Sequence, residues 1–254
     1  MNVTTIDLSC VEFHSFHWDN FSPEILAAHK KVMQHFGLNV TYTQKNIPHG
    51  QWLDEVMHSA TSDVIAIIEP DLIPLNREIV DNAIRYVLQH DSFLGCAQAS
   101  NHIYPASHIF ASPAFFFITK SCYQRLGCPS FMETKTGDVA ENIAYLAEQS
   151  GIRYRTLYPT YFERVPREGI WLLGSYGFYG IGTVFHDSVY HLFQSRMAEN
   201  IELFVQRCNE VLNNTFSMQG FRSCTDFEKV DNLVPFPFRQ KRKRWYQKLM
   251  SKFQ

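Results

Sequence analysis

The chain has 254 residues and a mass of 29.6 kDa, with 45% apolar and 19% charged residues. That supplies a sizeable core, excludes a disordered chain, and leaves little room for two full dinucleotide-binding domains of ~150 residues each. The net charge of −2 conceals an asymmetry, because Arg239 to Lys252 carries seven Lys/Arg and no Asp/Glu, leaving 16 basic against 25 acidic residues elsewhere.

In chain order, Ile6, Leu8, Cys10 and Val11 suggest an opening strand. Ser22-Pro23 then reads as an N-cap with proline at the first helical position, and Gly37 supplies the stop. A β-rich run over Leu38–Thr43 precedes a second helix from about Gln51 to Ala60. The unbroken apolar run Val64–Ile68 fits a strand covered on both faces, as in a parallel sheet between helices. A helix over Arg77–Gln89, a strand over Phe93–Ala97 and another over Ala114–Ile118 follow. This alternation predicts a doubly wound α/β sheet. A short helix ending near Gly127, a helix over Asp138–Ser150, a Gly/Tyr/Phe-rich stretch over Gly169–His191 and a strongly periodic helix over Arg196–Leu212 complete the body. One domain over 1–234 and a basic aromatic tail over 235–254 is the economical division.

No apolar run reaches the ~18–20 residues of a membrane span. Met1-Asn2-Val3 leads straight into a strand-like segment with no basic n-region, so no signal peptide is expected. The six cysteines, at 10, 96, 122, 128, 208 and 224, form no CxxC pair and read as buried thiols of a reducing, cytoplasmic protein. If the tail is helical, Trp245, Leu249 and Phe253 align on one side among the cations, as for contact with an anionic membrane surface; a solvated, frayed terminus is the alternative. Nothing in the body supports nucleic-acid binding.

Glu69-Pro70-Asp71 is the most informative segment, because it directly follows the buried strand. Ligands of open α/β sheets bind at the carboxyl ends of strands, and adjacent carboxylates there repel unless a cation joins them. Oxygen ligands of this kind suit Mg²⁺ or Mn²⁺, which also hold a diphosphate. A plain polar turn is the alternative.

The run Asp63 to Leu75 resembles the strand and DxD motif of GT-A glycosyltransferases, especially family-2-like enzymes. Further similarities follow in order: the helix opened by His49-Gly50, the strand Phe115–Ile118 with Tyr123–Gly127, the segment Thr136–Asn142, and Val189–Arg196. Together they span roughly residues 5 to 212. The resemblance implies a single GT-A domain with a mixed, mostly parallel sheet flanked by helices. It also implies a nucleotide-sugar donor, most simply a uridine diphosphate sugar, an acceptor hydroxyl, and a Mn²⁺ or Mg²⁺ cofactor. Asp71, Glu69 and His191 are then the metal ligands, with His186 the rival for the last place. Ser9, His49 and Asp54 fall on the nucleotide side, and His14, His17 and His102 are further pocket candidates. Asp138 becomes the general base for an inverting displacement, with a helix-start acid as its alternative role. The departure from the pattern is Glu69, where aspartate is usual.

No P-loop, GxGxxG, GxSxG or HExxH motif is present. A nucleotidyltransferase would carry a Gly-rich basic loop after the first strand, and Val11–His17 has neither Gly nor Lys/Arg. A degenerate, non-catalytic sugar-nucleotide binder is the third possibility, and Glu69 is the feature that keeps it open.

Overall fold

Val64, Ile65, Ala66, Ile67 and Ile68 are all at most 1% exposed, and the rest of the fold is arranged to cover them. The structure is a computed structural model, and it describes residues 6–100, 108–135, 137–166 and 170–226. The tail expected at 235–254, the boundary before it and His102 lie outside those residues.

The main sheet contains β1 (Val11–His17), β2 (Val40–Gln44), β3 (Val64–Ile68), β5 (Phe93–Ala99), β6 (Ile109–Thr119) and β7 (Arg155–Leu157), in the order β2-β1-β3-β6-β5-β7. β1 pairs parallel with both β2 and β3, and β5 pairs parallel with β7. β6 alone runs the other way, antiparallel to β3 and β5. The sheet is therefore mixed and mostly parallel, as expected, but β6 is inserted where a purely doubly wound order would have a parallel neighbour. Hydrophobic periodicity carries no direction, so the sequence could not show this.

After β3 the chain leaves the main sheet, and three residues later β4 (Leu72–Pro74) joins a second one. That sheet has the order β13-β8-β11-β12-β4, with β8 (Pro159–Arg164), β11 (Ile181–Phe185), β12 (Val189–His191) and β13 (Arg222–Ser223). All its pairs are antiparallel. A two-stranded ribbon of β9 (Trp171–Leu172) and β10 (Phe178–Tyr179) lies in the same Gly/Tyr/Phe-rich stretch.

Side chains alternate across β3. Ile65 and Ile67 pack with α2 (His49–Ser59), α4 (Lys120–Arg125) and α5 (Glu141–Gln149). Val64, Ala66 and Ile68 face α1 (Pro23–His35), α3 (Arg77–His90), α6 (Ala198–Leu212) and the second sheet. Truncating Ile67 to alanine in such a site costs about 2–5 kcal/mol. α1 begins as its sequence predicts, with the Ser22 hydroxyl accepting the Ile25 N–H at 3.3 Å and Pro23 at the first position. All six cysteines are free. Among the described residues no helix is long and apolar enough to cross a membrane.

Several boundaries differ from expectation: β6 starts at Ile109, five residues before the expected Ala114, and two others have a local cause. The opening strand begins at Val11, because the Asp7 carboxylate accepts the Ser9 N–H and closes a 3₁₀ turn over Leu8–Cys10. α5 begins at Glu141 rather than Asp138, because Ala140 sits in the left-handed region at φ 67°.

Candidate metal and nucleotide site

Glu69-Pro70-Asp71 is the bridge between the two sheets, joining β3 to β4. The Glu69 N–H donates to the Ala114 carbonyl of β6 at 2.8 Å, so the bridge is anchored to the main sheet at its start. The second sheet supplies the histidine. β12 pairs with β4 in the register Val189↔Pro74, Tyr190↔Ile73, His191↔Leu72, and the Leu192 N–H donates to the Asp71 carbonyl at 2.9 Å. Strand register thus carries His191 to Asp71. His186 is excluded by the same hairpin, since it occupies the β11–β12 turn with φ 49° beside Asp187 with φ 55°. It faces a separate polar groove along α3.

His191 Nε2 lies 3.6 Å from Glu69 Oε2 and 3.7 Å from Asp71 Oδ1. One ligand atom from each of the three residues falls within 4.8 Å of the others. These separations exceed the 2.7–3.2 Å of a hydrogen bond. They are near what a shared ion sets, since ligands ~2.1 Å from a cation and 90–120° apart lie roughly 3.0–3.6 Å from each other. Two carboxylates with one imidazole fit Mn²⁺, and Mg²⁺ less well because nitrogen is a softer donor. Burial and the Asp71 charge push the Glu69 carboxyl above the usual range, against the pull of His191. Burial opposes the Asp71 charge too, but the His191 ring and the Ser195 hydroxyl hold its carboxyl below the usual range. The two carboxylates thus repel one another across the cluster, and a bound cation would relieve that repulsion.

A cavity of about 400 Å³ opens over the carboxylates, lined by Phe16, His17, Trp18, Phe21, His49 and the segment Gln194–Met197. Phe16 and His17 end β1, so the cavity lies at the carboxyl end of that strand, as for ligand crevices in open α/β sheets. Phe16 stacks on Trp52 at 5.0 Å and on His49 at 5.7 Å, which fixes the wall from beneath. Gly50 is required here: a Cβ would come within 2.7 Å of the Met132 backbone, so only glycine lets the start of α2 pack down. Burial pushes the His49 ring down to about 4 despite the nearby Asp71 charge, so it is neutral at physiological pH. Its Nδ1 is 3.6 Å from Glu69 Oε1. At the rim, the Arg196 guanidinium lies 5.0 Å over the Trp18 ring, whose Nε1–H donates to the Ile47 carbonyl at 2.9 Å.

The structure therefore brings together Glu69, Asp71, His191, His49 and His17. His14 lies outside the cavity lining, with its Nε2 3.3 Å from Glu12. It does not bring in Ser9 or Asp54. Ser9 sits before the start of β1, roughly 20 Å from the cavity end of a seven-residue strand, with its hydroxyl on Asp7. Asp54 is an anchor, accepting the Ser130 hydroxyl at 2.6 Å and the Phe131 N–H at 2.7 Å. Asp138 is not among the residues lining the cavity. Its Oδ1 accepts the Val139 N–H at 2.9 Å, and Gln98 Nε2 lies 3.4 Å from Oδ2. Burial chiefly, with the Asp138 charge, raises the Tyr179 phenol; Tyr179 packs on Phe193 at 5.0 Å and Phe193 on His191 at 4.0 Å. Arg196 and the Phe16–Trp18–Phe21 wall were not singled out as site residues by the sequence. The clue to Arg196 was its place five residues after His191.

No protein-family profile matches the chain, and no curated protein does. Solved structures do. A mannosyltransferase from Pyrobaculum calidifontis in complex with GDP-Man and Mn²⁺ is similar at TM-score 0.45 and 12% identity, over 63% of this chain and 58% of that one. The 2-C-methyl-D-erythritol 4-phosphate cytidylyltransferase of Thermus thermophilus is similar at TM-score 0.41 and 6% identity, over 78% and 99%. A glycosyltransferase involved in glycosylation of the major capsid of PBCV-1 is similar at TM-score 0.34 and 11% identity, over 59% and 80%. At these scores the likenesses carry no functional argument. The fold description rests on the chain's own topology, a mixed, mostly parallel α/β sheet flanked by helices.

Proposed function

We propose that the chain is a divalent-metal-dependent glycosyltransferase that moves a sugar from a nucleotide diphosphate donor, most simply a uridine diphosphate sugar, to an acceptor hydroxyl. The observation that carries this reading is the convergence of Glu69, Asp71 and His191 at cation-sharing distances beneath an aromatic-walled cavity. Glu69, Asp71 and His191 would hold Mn²⁺ or Mg²⁺, and the ion would neutralise charge on the leaving diphosphate. Arg196, exposed at the rim, supplies a fixed positive charge for the same phosphates. Trp18 and Phe21, half-buried in the cavity wall and backed by Phe16, offer ring faces on which a nucleotide base can stack. We assign Asp138 as the base that takes the acceptor proton; it lies outside the cavity lining, so the acceptor would bind beside that cavity rather than in it.

A nucleotidyltransferase reading gains nothing from the loop after β1, since Trp18-Asp19-Asn20-Phe21-Ser22 contains no glycine and no cation. A panel of nucleotide sugars, assayed for free nucleoside diphosphate with and without Mn²⁺, tests the proposal. Metal-dependent release from at least one sugar is expected. Pyrophosphate release from a nucleoside triphosphate with a sugar phosphate would favour the nucleotidyltransferase. Tight metal-dependent binding without release from any sugar would leave a non-catalytic binder.

A further inference from the structure

His108, at the start of β6, is held on three sides by one face of α5. Its Nδ1 lies 2.7 Å from Glu141 Oε1 and its Nε2 lies 3.1 Å from Glu148 Oε1. Tyr145, between them on the helix, stacks flat against the ring at 4.0 Å. Residues 141, 145 and 148 are spaced i, i+4, i+7, so the helix presents them as one cradle. Only a ring protonated on both nitrogens donates to both carboxylates. Burial favours the neutral ring, but the two carboxylates overcome it and raise its pKa.

Glu141 reaches further than His108. Its side chain is fully buried, and its second oxygen, Oε2, accepts the backbone N–H of Asp138 at 2.7 Å. The turn is closed from the other direction, with the Glu141 N–H donating to the Asp138 carbonyl at 3.1 Å. One carboxylate therefore connects the His108 ring to the peptide that carries Asp138.

We propose that His108 is a positioning residue, which through Glu141 fixes Asp138 in the conformation it needs to accept a proton. The mechanistic half of this statement rests on Asp138 being the base; the coupling of His108 to Asp138 does not. When the ring is neutral only one of its nitrogens donates, so its hydrogen bond to Glu141 either loses its positive charge or is lost, and the Asp138 peptide held by the other oxygen of Glu141 senses the change. Among the described residues the titratable groups against the ring are Glu141, Tyr145 and Glu148 from α5, and Tyr154, just before β7, reaches it through Glu148, to which its hydroxyl donates at 2.7 Å. Both phenols are raised, chiefly by burial, so neither ionises across the neutral range.

The test is a pH titration of the ¹⁵N-labelled full chain by NMR, following the His108 ring nitrogens and the Asp138 amide. Both should move together as pH rises through the His108 midpoint. Glu148→Gln is the decisive variant, because Glu148 is 47% exposed and its loss leaves the core intact. It should lower both midpoints by the same amount. An Asp138 amide that ignores the His108 titration, or a Glu148→Gln shift in one midpoint alone, overturns the proposal. Asp138→Asn, assayed for donor hydrolysis in the nucleotide-sugar panel with Mn²⁺, separates the two ideas. Undiminished hydrolysis there removes the base assignment, and with it the mechanistic half, while leaving the measured coupling standing.

Discussion

His191 and His108 each face two carboxylates, and the distances set them apart. His108 sits 2.7 and 3.1 Å from Glu141 and Glu148, within hydrogen-bond range, and the three side chains satisfy one another. His191 sits 3.6 and 3.7 Å from Glu69 and Asp71, too far to satisfy either and close enough to share an ion with both. The first cluster is closed over a fully buried glutamate; the second opens to a cavity. Residue types alone do not distinguish a salt bridge from a metal site. What distinguishes them is whether the nitrogen and the oxygens complete each other or leave room for a third charge.

If this division holds, chemistry and donor binding can be broken separately. Asp138 hangs from the closed cluster, so Asp138→Asn should lower acceptor transfer by about 10²–10⁴-fold in kcat while nucleotide affinity in Mn²⁺ stays near wild type. His108→Ala should cost about 3–5 kcal/mol in denaturant unfolding, because it leaves the buried Glu141 carboxylate with no positive charge beside it. The same variant should bind Mn²⁺ like the wild type. His191→Ala should weaken Mn²⁺ affinity by more than about tenfold in calorimetry, and His186→Ala, in the hairpin turn, should not.

The smallest effect is in the pH dependence of stability. The folded pKa of His108 is raised, so its contribution is fully present below the unfolded value of ~6.5 and is lost as pH rises through the folded value. Unfolding free energy should therefore decline on the alkaline side in the wild type. In His108→Gln that limb should be absent.

The main sheet was legible because its buried strands are apolar runs and its helices carry caps and periodic faces. Val64–Ile68, Arg77–His90 and Ala198–Leu212 appear within a residue or two of their sequence limits. The second sheet was legible only as a Gly/Tyr/Phe-rich stretch of loop and strand near a site. β4 and β12 have three residues each and β13 has two, too few for a period to register, and pairing leaves no mark on β8 or β11. Yet that sheet brings His191 to Asp71, so the motif was readable while the pairing that completes it was not. Ser9 was misplaced because Leu8 and Cys10 mimic alternation that Asp7 interrupts with a turn. The His108 cradle left no mark beyond Glu141, Tyr145 and Glu148 at helical spacing, a pattern common on solvated helices.

The central claim is that Glu69, Asp71 and His191 form a cation site. Calorimetric titration of Mn²⁺ into the wild-type protein and into Asp71→Asn, with thermal unfolding of both, tests it most directly. One Mn²⁺ per chain is predicted for the wild type. In Asp71→Asn the affinity should fall by more than about 10²-fold, beyond the effect of losing an outer-shell partner, with little change in Tm. Equal Mn²⁺ affinity in the two proteins would contradict the account.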